Sequence, residues 1–252
     1  VSSASPRTPI RRREQDSMCG VRGGMIPVYV GFDPREEAGT HVFVSSLLEH
    51  ATTPVSVIPL HLPLFKSFYA PGQRDGTNAF IYTRFLIPFL QGWRGWALFV
   101  DGADMLMKAD VSELLALRDH YKAVQVVKHD YTTKHARKYV GTQMEADNRY
   151  YPRKNWSSVM LINCGHMHWR DITPEAVQQM SGADLHRFSW LRDDMIGELP
   201  KEWNWIADEY GPNPEAKLIH WTAGTPAFKA YAKTPHADDF RRQLAIVNYV
   251  AQ

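Results

Sequence analysis

Short, continuously apolar runs alternate with longer stretches in which apolar residues recur at helical spacing. This alternation organises the chain from residue 26 onward. Ile26-Pro27-Val28-Tyr29-Val30-Gly31-Phe32 has the pattern of a strand buried on both faces. Asp33-Pro34-Arg35-Glu36 is the loop that ends it, and from Ala38 to His50 the positions Val42, Val44, Leu47 and Leu48 predict a helix. Val55 to Leu60 reads as a second strand. Strand, loop, helix, strand is how the nucleotide-binding half of an open α/β sheet begins.

The pattern continues with a helix predicted over Asn78 to Leu90, ended by Gln91-Gly92. A strand at Trp96-Ala97-Leu98-Phe99-Val100 then runs directly into Asp101-Gly102-Ala103-Asp104. Val111 to Leu117 reads as a helix, Ala123 to Val127 as a strand closed by His129-Asp130, and Val159 to Asn163 as another strand. Beyond Asn163, Trp, Pro and His become common and strand signals thin out. The last third is therefore expected to be helical and irregular, packed on the sheet and covering a site. No Gly/Ser/Pro linker divides it from the rest, so residues 26–252 read as one domain.

Composition changes this picture little: 252 residues, 44% hydrophobic and 22% charged, suffice for one large α/β core. The formal charge of +2 is more informative once located. Arg7, Arg11, Arg12, Arg13 and Arg22 face only Glu14 and Asp16 in residues 1–25, so the remaining body is close to neutral. Such a body gives no global reason to expect a polyanionic partner. Residues 1–25 lack an apolar pattern and an apolar signal core, and read as a disordered extension or a mis-started reading frame. No apolar run is long enough to span a bilayer. Cys19 and Cys164 make neither a disulfide framework nor a zinc site of cysteines alone, and a cytoplasmic location is expected.

Ligands of open α/β sheets sit outside the carboxyl ends of the strands. Three predicted strands end in acid: Asp33, then Asp101 with Asp104, then Asp130. A single aspartate there is ordinarily a cap or turn former. Asp101 and Asp104 together, after a fully apolar strand, read as ligands of a metal bound to phosphate. Residues three apart on an extended strand point to opposite faces, so both reach one ion only if the chain turns between them, which Gly102 permits. His220, between Lys217-Leu218-Ile219 and a Gly/Thr turn, is either a satisfied core residue or the third ligand of an N/O set suited to Mn²⁺ or Mg²⁺. The turn after it offers backbone N–H groups around Gly224, and Lys229, to a diphosphate. Lys128, Lys134, Arg137 and Lys138 beside Tyr131 and Tyr139 read as a solvated helix face, with a basic and aromatic patch as the alternative.

Taken in order, these segments resemble glycosyltransferase family 8. Val28 to Glu36 is similar to the family's uridine-binding strand and loop, and Phe80 to Pro88 to its Tyr-x-Arg helix. Leu98 to Leu114 is similar to the strand bearing the DxD metal motif, and Asn155 to Asn163 to the segment with sugar-binding polar residues. Leu191-Arg192-Asp193-Asp194, then Leu199-Pro200 and Trp203-Asn204-Trp205, resemble its acidic pair and LPxxWN stretch, and His220 to Pro226 its closing metal and phosphate motif. The chain departs from the family in reading DxxD and in carrying Trp156-Ser157-Ser158 where the family has Asn-Ala-Gly.

The resemblance implies a GT-A fold, a Rossmann-like nucleotide-sugar-binding sheet with helices on both faces. It also implies transfer of a hexose from a UDP-sugar to an acceptor hydroxyl, with Mn²⁺ and with retention. Asp33 would bind uridine, and Arg84 the phosphates or sugar. Asn155, Ser157 and Ser158 would bind the sugar, Gly224 and Lys229 the diphosphate, and Asp101, Asp104 and His220 the metal. Asp130, Asp193 and Asp194 are the carboxylates expected near the sugar. A glycan or lipopolysaccharide is the expected acceptor. Rival readings are a sugar nucleotidyltransferase or nucleotide-sugar hydrolase, a non-catalytic binding module, and an enzyme glycosylating a modified nucleic-acid base.

Overall fold

The structure, a computed structural model, describes residues 25–70 and 78–248. The expectation for the N-terminal tail lies, Met25 apart, outside the described residues. The strands are β1 (Ile26–Phe32), β2 (Val55–His61), β3 (Trp96–Val100), β4 (Met105–Met107), β5 (Val124–Val126), β6 (Arg137–Lys138), β7 (Ala146–Asp147), β8 (Val159–Asn163), β9 (Ile196–Glu198), β10 (Trp205–Ile206) and β11 (Leu218–His220). The helices are α1 (Glu37–His50), α2 (Ile87–Leu90), α3 (Val111–Leu115), α4 (Pro174–Gln179), α5 (Gly182–His186), α6 (Ala207–Tyr210) and α7 (Ala237–Val247).

The main sheet has the order β2-β1-β3-β8-β5-β9, with β8 antiparallel to both neighbours and the other pairs parallel. Alternate residues of its central strands feed two cores, as a sheet covered on both faces requires. Val28, Val30, Leu98, Val100, Val159 and Leu161 pack with Phe43 and Leu47 of α1 and with Val111 and Leu114 of α3. Tyr29, Ala97, Phe99, Met160 and Ile162 pack on the other face with Phe85, Trp169, Val177 of α4 and Leu185 of α5. A second sheet, β10-β11-β4, joins α1 and α7 through Val42, Leu106, Ile219, Trp221 and Phe240. This is the mixed α/β GT-A architecture expected from the sequence. Among the described residues no helix is long and apolar enough to cross a membrane.

Four local expectations are corrected. The buried face of α1 runs through Val42, Phe43, Ser46 and Leu47, whereas Leu48 is exposed. The stretch ending at Leu90 is a 3₁₀ turn, Thr83–Leu86, leading into the single turn of α2. Pro88 has no N–H for the Arg84 carbonyl, so one continuous α-helical ladder cannot form there. The apolar segment before His220 is strand β11, too short to show a period. The basic stretch around Arg137 and Lys138 is not a helix face: it pairs as the antiparallel hairpin β6–β7.

Candidate active site

β3 ends at Val100 and β4 begins at Met105, with the turn Asp101–Asp104 between them. Gly102 has φ +80°, and hydrogen bonds from Ala103 N to Asp101 O (3.0 Å) and from Met105 N to Gly102 O (3.2 Å) close the turn. The left-handed residue supplies the reversal that an extended strand lacks. The turn is pinned on both sides, by Asp101 N donating to Ser158 O and Trp221 N donating to Asp104 O, both at 2.9 Å. β11 pairs antiparallel with β4 and sets His220 opposite Met105. His220 Nε2 then lies 3.5 Å from Asp104 Oδ2 and 4.0 Å from Asp101 Oδ2, so DxxD and His220 form one cluster.

The hydrogen-bond network fixes the imidazole's tautomer. Ser158 Oγ donates to Asn155 O at 2.7 Å, so it accepts the bond from Asn204 Nδ2 at 2.8 Å. Asn204 must therefore turn its Oδ1 toward His220 Nδ1, 2.9 Å away, and Nδ1 carries the hydrogen. The Nε2 lone pair is left facing the two carboxylates. Buried Asp104 Oδ1 has no hydrogen-bond partner. Two carboxylates and an imidazole lone pair converging in a nearly buried corner repel one another unless a cation or protons intervene. One nitrogen and two oxygens, with a carboxylate oxygen still unpartnered, fit a divalent cation of the Mn²⁺ or Mg²⁺ type.

Protonation follows the same crowding. Burial above all, and Asp104 beside it, push Asp101 up to about 6 against the pull of Arg84. Burial disfavours a charged His220, but Asp104 and Asp101 outweigh it and raise the ring above its ordinary value. Glu36, buried just after β1, is pushed up to about 9 by burial and then by Asp104, Asp33 and Asp101. Its Oε2 accepts from Asn78 Nδ2 at 3.1 Å, and its Oε1 is buried without a partner.

A cavity of about 420 Å³ opens from this corner. Of the residues singled out in the sequence, Arg84, Asp101, Asp104, Asn155, Ser157, Ser158 and His220 line it. Arg84 Cζ lies over the Phe99 ring, 4.6 Å from its centroid. Its Nη1 is 2.7 Å from Asp101 Oδ1 and donates to Ser157 O at 2.7 Å. Asn155 holds φ +61° and donates to the Tyr131 hydroxyl at 2.7 Å, while Ser157 Oγ lies 2.6 Å from His186 Nδ1.

The remaining six sequence candidates stand outside the cavity lining. Asp33 caps the turn Pro34–Glu36, accepting from Arg35 N (3.0 Å), Arg35 Nε (2.9 Å) and Ala79 N (3.0 Å). Burial opposes its charge, but those bonds and the Arg35 guanidinium hold its carboxyl below the usual range. Asp130 is exposed in the loop after β5. Asp193 and Asp194 open a surface turn and pair with Arg153 and Arg192. Gly224 is a packing residue, since an added Cβ would lie 2.4 Å from the Tyr231 ring. Lys229 is exposed.

In their place the hairpin β6–β7 and the segment after it bring Lys138, Asn148, Tyr151 and Lys154 to the cavity, and α5 brings His186 and Arg187. This cover is anchored by Lys134 N donating to Glu209 Oε2 (2.9 Å) and by Tyr139 N donating to Ala223 O (2.7 Å). Asp208 accepts from Thr222 N (3.1 Å) and Ala223 N (2.9 Å), so the second acidic group, His135 with Asp208 and Glu209, is spent on tying loops together.

An open α/β sheet with paired carboxylates at a strand end, closed by a histidine from a second small sheet, has the fold of GT-A glycosyltransferases. No protein-family model matches the chain. It is 40% identical over 230 residues to Protein CDI of Arabidopsis thaliana, covering 88% of this chain and 86% of that protein. The WbbM bifunctional glycosyltransferase superposes with a TM-score of 0.65 at 18% identity, covering 90% of this chain and 50% of that one. The chain thus spans half the length of WbbM. The galactosyltransferase LgtC, solved with donor and acceptor sugar analogues, superposes with a TM-score of 0.56 at 13% identity, covering 90% and 98%. At such identities the structural likenesses speak for the fold. The chain belongs, with Protein CDI, to glycosyltransferase family 8.

Proposed function

We propose that this chain transfers a sugar from a UDP-linked donor to an acceptor hydroxyl, with Mn²⁺ or Mg²⁺ held by Asp101, Asp104 and His220. The observation that carries the reading is the convergence of both carboxylates and the His220 Nε2 lone pair on one corner of the cavity. When bound, a divalent cation there would neutralise charge growing on the departing nucleoside diphosphate. Arg84, fixed by Ser157 O and Asp101, is a preorganised cation beside that corner. Lys138 supplies a second. Ser157 and Asn155 are the polar groups we assign to the sugar. Asp130, Asp193 and Asp194 receive no part in the chemistry, because each lies at the surface away from the cavity. Retention and a glycan acceptor are carried from the family reading.

The test is a donor screen with Mn²⁺, scored by release of nucleoside diphosphate and repeated in EDTA. Asp104→Asn, His220→Ala and Asp101→Asn should each remove most turnover. The double variant of Asp104 and His220 should lose little more than either alone, because groups that act as one unit are not additive. Full turnover in EDTA, or a nearly active Asp104→Asn, would refute the metal-dependent reading.

A further inference from the structure

Away from the carboxylate corner, two of the cations that line the cavity, Lys154 and Arg187, form no ion pair among the described residues. Lys154 is 8% exposed, and its Nζ donates only to Asn148 Oδ1 and Arg149 O, both at 2.8 Å. Among the described residues no carboxylate lies within ion-pair distance of it. Burial, and then the charge of Lys138, hold this lysine down to about 8, and only Glu209 and Asp208, beyond ion-pair distance, pull the other way. Arg187 caps the end of α5, and its Nε is buried without a hydrogen-bond partner. It too has no ion pair among the described residues. His186 Nε2, next to it, is likewise buried and unpartnered.

Charge balance points the same way. Arg84, Lys138, Arg149, Lys154 and Arg187 line the cavity against Asp101, Asp104 and Asp147. A divalent cation and a nucleoside diphosphate sugar, with its two negative charges, cancel each other. The excess of basic over acidic side chains therefore survives donor binding. Buried cations without partners are costly unless a ligand completes them.

We propose that this half of the cavity is a subsite for an anionic group, a carboxylate or phosphate, carried by the transferred sugar or by the acceptor, with Lys154 and Arg187 as its charged contacts. His186 Nε2 is the adjacent neutral contact. The proposal rests on the reading of the cavity as a nucleotide-sugar site.

Calorimetric titration of the full chain with Mn²⁺ tests it, using UDP, UDP-glucose and UDP-glucuronic acid. Glucose, glucuronic acid and glucose 6-phosphate are then titrated onto the UDP-loaded protein. If the anion belongs to the transferred sugar, UDP-glucuronic acid binds about ten-fold or more tightly than UDP-glucose. If it belongs to the acceptor, the two donors bind alike, and glucuronic acid or glucose 6-phosphate binds the loaded protein about ten-fold more tightly than glucose. In either case Lys154→Met and Arg187→Met each remove the preference and leave affinity for UDP within about two-fold. The two residues sit on different elements, so Arg187→Met carries the test if Lys154→Met does not fold. Absence of any preference for the anionic probe in both series overturns the subsite. A fall in UDP affinity equal to that for UDP-glucuronic acid also overturns it, because Lys154 would then be a diphosphate contact. Failure of UDP itself to bind the unmodified chain refutes the nucleotide reading instead, and glucuronic acid against glucose on the unloaded chain then decides the subsite.

Discussion

Asn204 Oδ1 lies 2.9 Å from His220 Nδ1, and this contact decides which nitrogen of the ring meets Asp101 and Asp104. Asn204 is fully buried, and its amide is oriented by Ser158 Oγ and Asn155 O. The pair couples the LPxxWN stretch to the carboxylate corner, beside the pairing of β10 with β11.

Asn204→Ala should therefore damage the cation site without touching a ligand. Losing control of a ligating histidine's tautomer and orientation typically costs about 10–100-fold in metal affinity. We expect a rise of that order in the Mn²⁺ concentration needed for UDP binding, measured by calorimetry, with metal-independent UDP affinity changed far less. Equal losses with and without Mn²⁺ would make Asn204 a general packing residue.

The strands and the turn that carries Asp101 and Asp104 were legible because their signals are local. Val28, Val30, Leu98 and Val100 are apolar whatever surrounds them, and Gly102 between two aspartates announces a turn. The rest depended on tertiary structure. Asp33 has the sequence position of a ligand, but Arg35, two residues on, takes its carboxylate. Phe43 joins the face of α1 that meets the sheet, Val44 reaches it only in part and Leu48 is left exposed, a choice of angle that scattered apolar positions leave open. Lys154 and Arg187 lie in polar stretches without a period, and only the folding of the β6–β7 hairpin and α5 onto the sheet brings them to one cavity. The basic residues beside Tyr139 were a usable signal for that cover, and the helical reading obscured it.

Glu36 should make the metal-free protein less stable as pH rises. Its carboxyl is raised to about 9 in the folded state against 4.5 when exposed, so the folded chain keeps a proton that the unfolded chain has released. The sign follows: this stability is fully present below about 4.5 and is lost as pH climbs toward 9. His220, also raised, loses stabilisation in the same direction once pH passes its folded value. His129, pushed down to about 3 by burial and then by His220 and Lys201, titrates below neutrality and leaves the alkaline side unaffected. In EDTA the melting temperature should fall between pH about 6.5 and 8, above which Lys154, held down to about 8, offsets the loss, and Glu36→Gln should flatten the decline. A profile unchanged by Glu36→Gln would show that this carboxyl is not held protonated.

Mn²⁺ binding should run the opposite way with pH. The cation competes with protons for Asp101, which is raised to about 6, so acidification through that value should weaken it. The apparent Mn²⁺ affinity in the presence of UDP should drop steeply below pH about 6 and level off only once pH has passed the raised value of His220, which must also shed its proton. A flat dependence from pH about 5 to 8 would remove both Asp101 and His220 from the cation's ligands, because the raised His220 must also lose a proton to bind.

Gly39 supports the same turn from beneath, and it gives a test that leaves every candidate ligand side chain in place. It lies in α1, and a Cβ added there would sit 1.8 Å from Ala103 O. The obstacle is backbone within the Asp101–Asp104 turn, so no side chain can swing aside to relieve it. Either α1 moves away from β4, opening the packing of Val42 and Phe43, or the turn moves and misplaces both carboxylates. Overpacking of this kind costs about 1–3 kcal/mol. For a chain of this size, that corresponds to a melting temperature lower by roughly 3–10 °C. Gly39→Ala should show that loss together with weaker Mn²⁺-dependent UDP binding. Gly165→Ala is the control, because the nearest atom to its added Cβ is 3.7 Å away. A Gly39→Ala protein that melts like the control and binds Mn²⁺ normally would mean that α1 does not press on the turn.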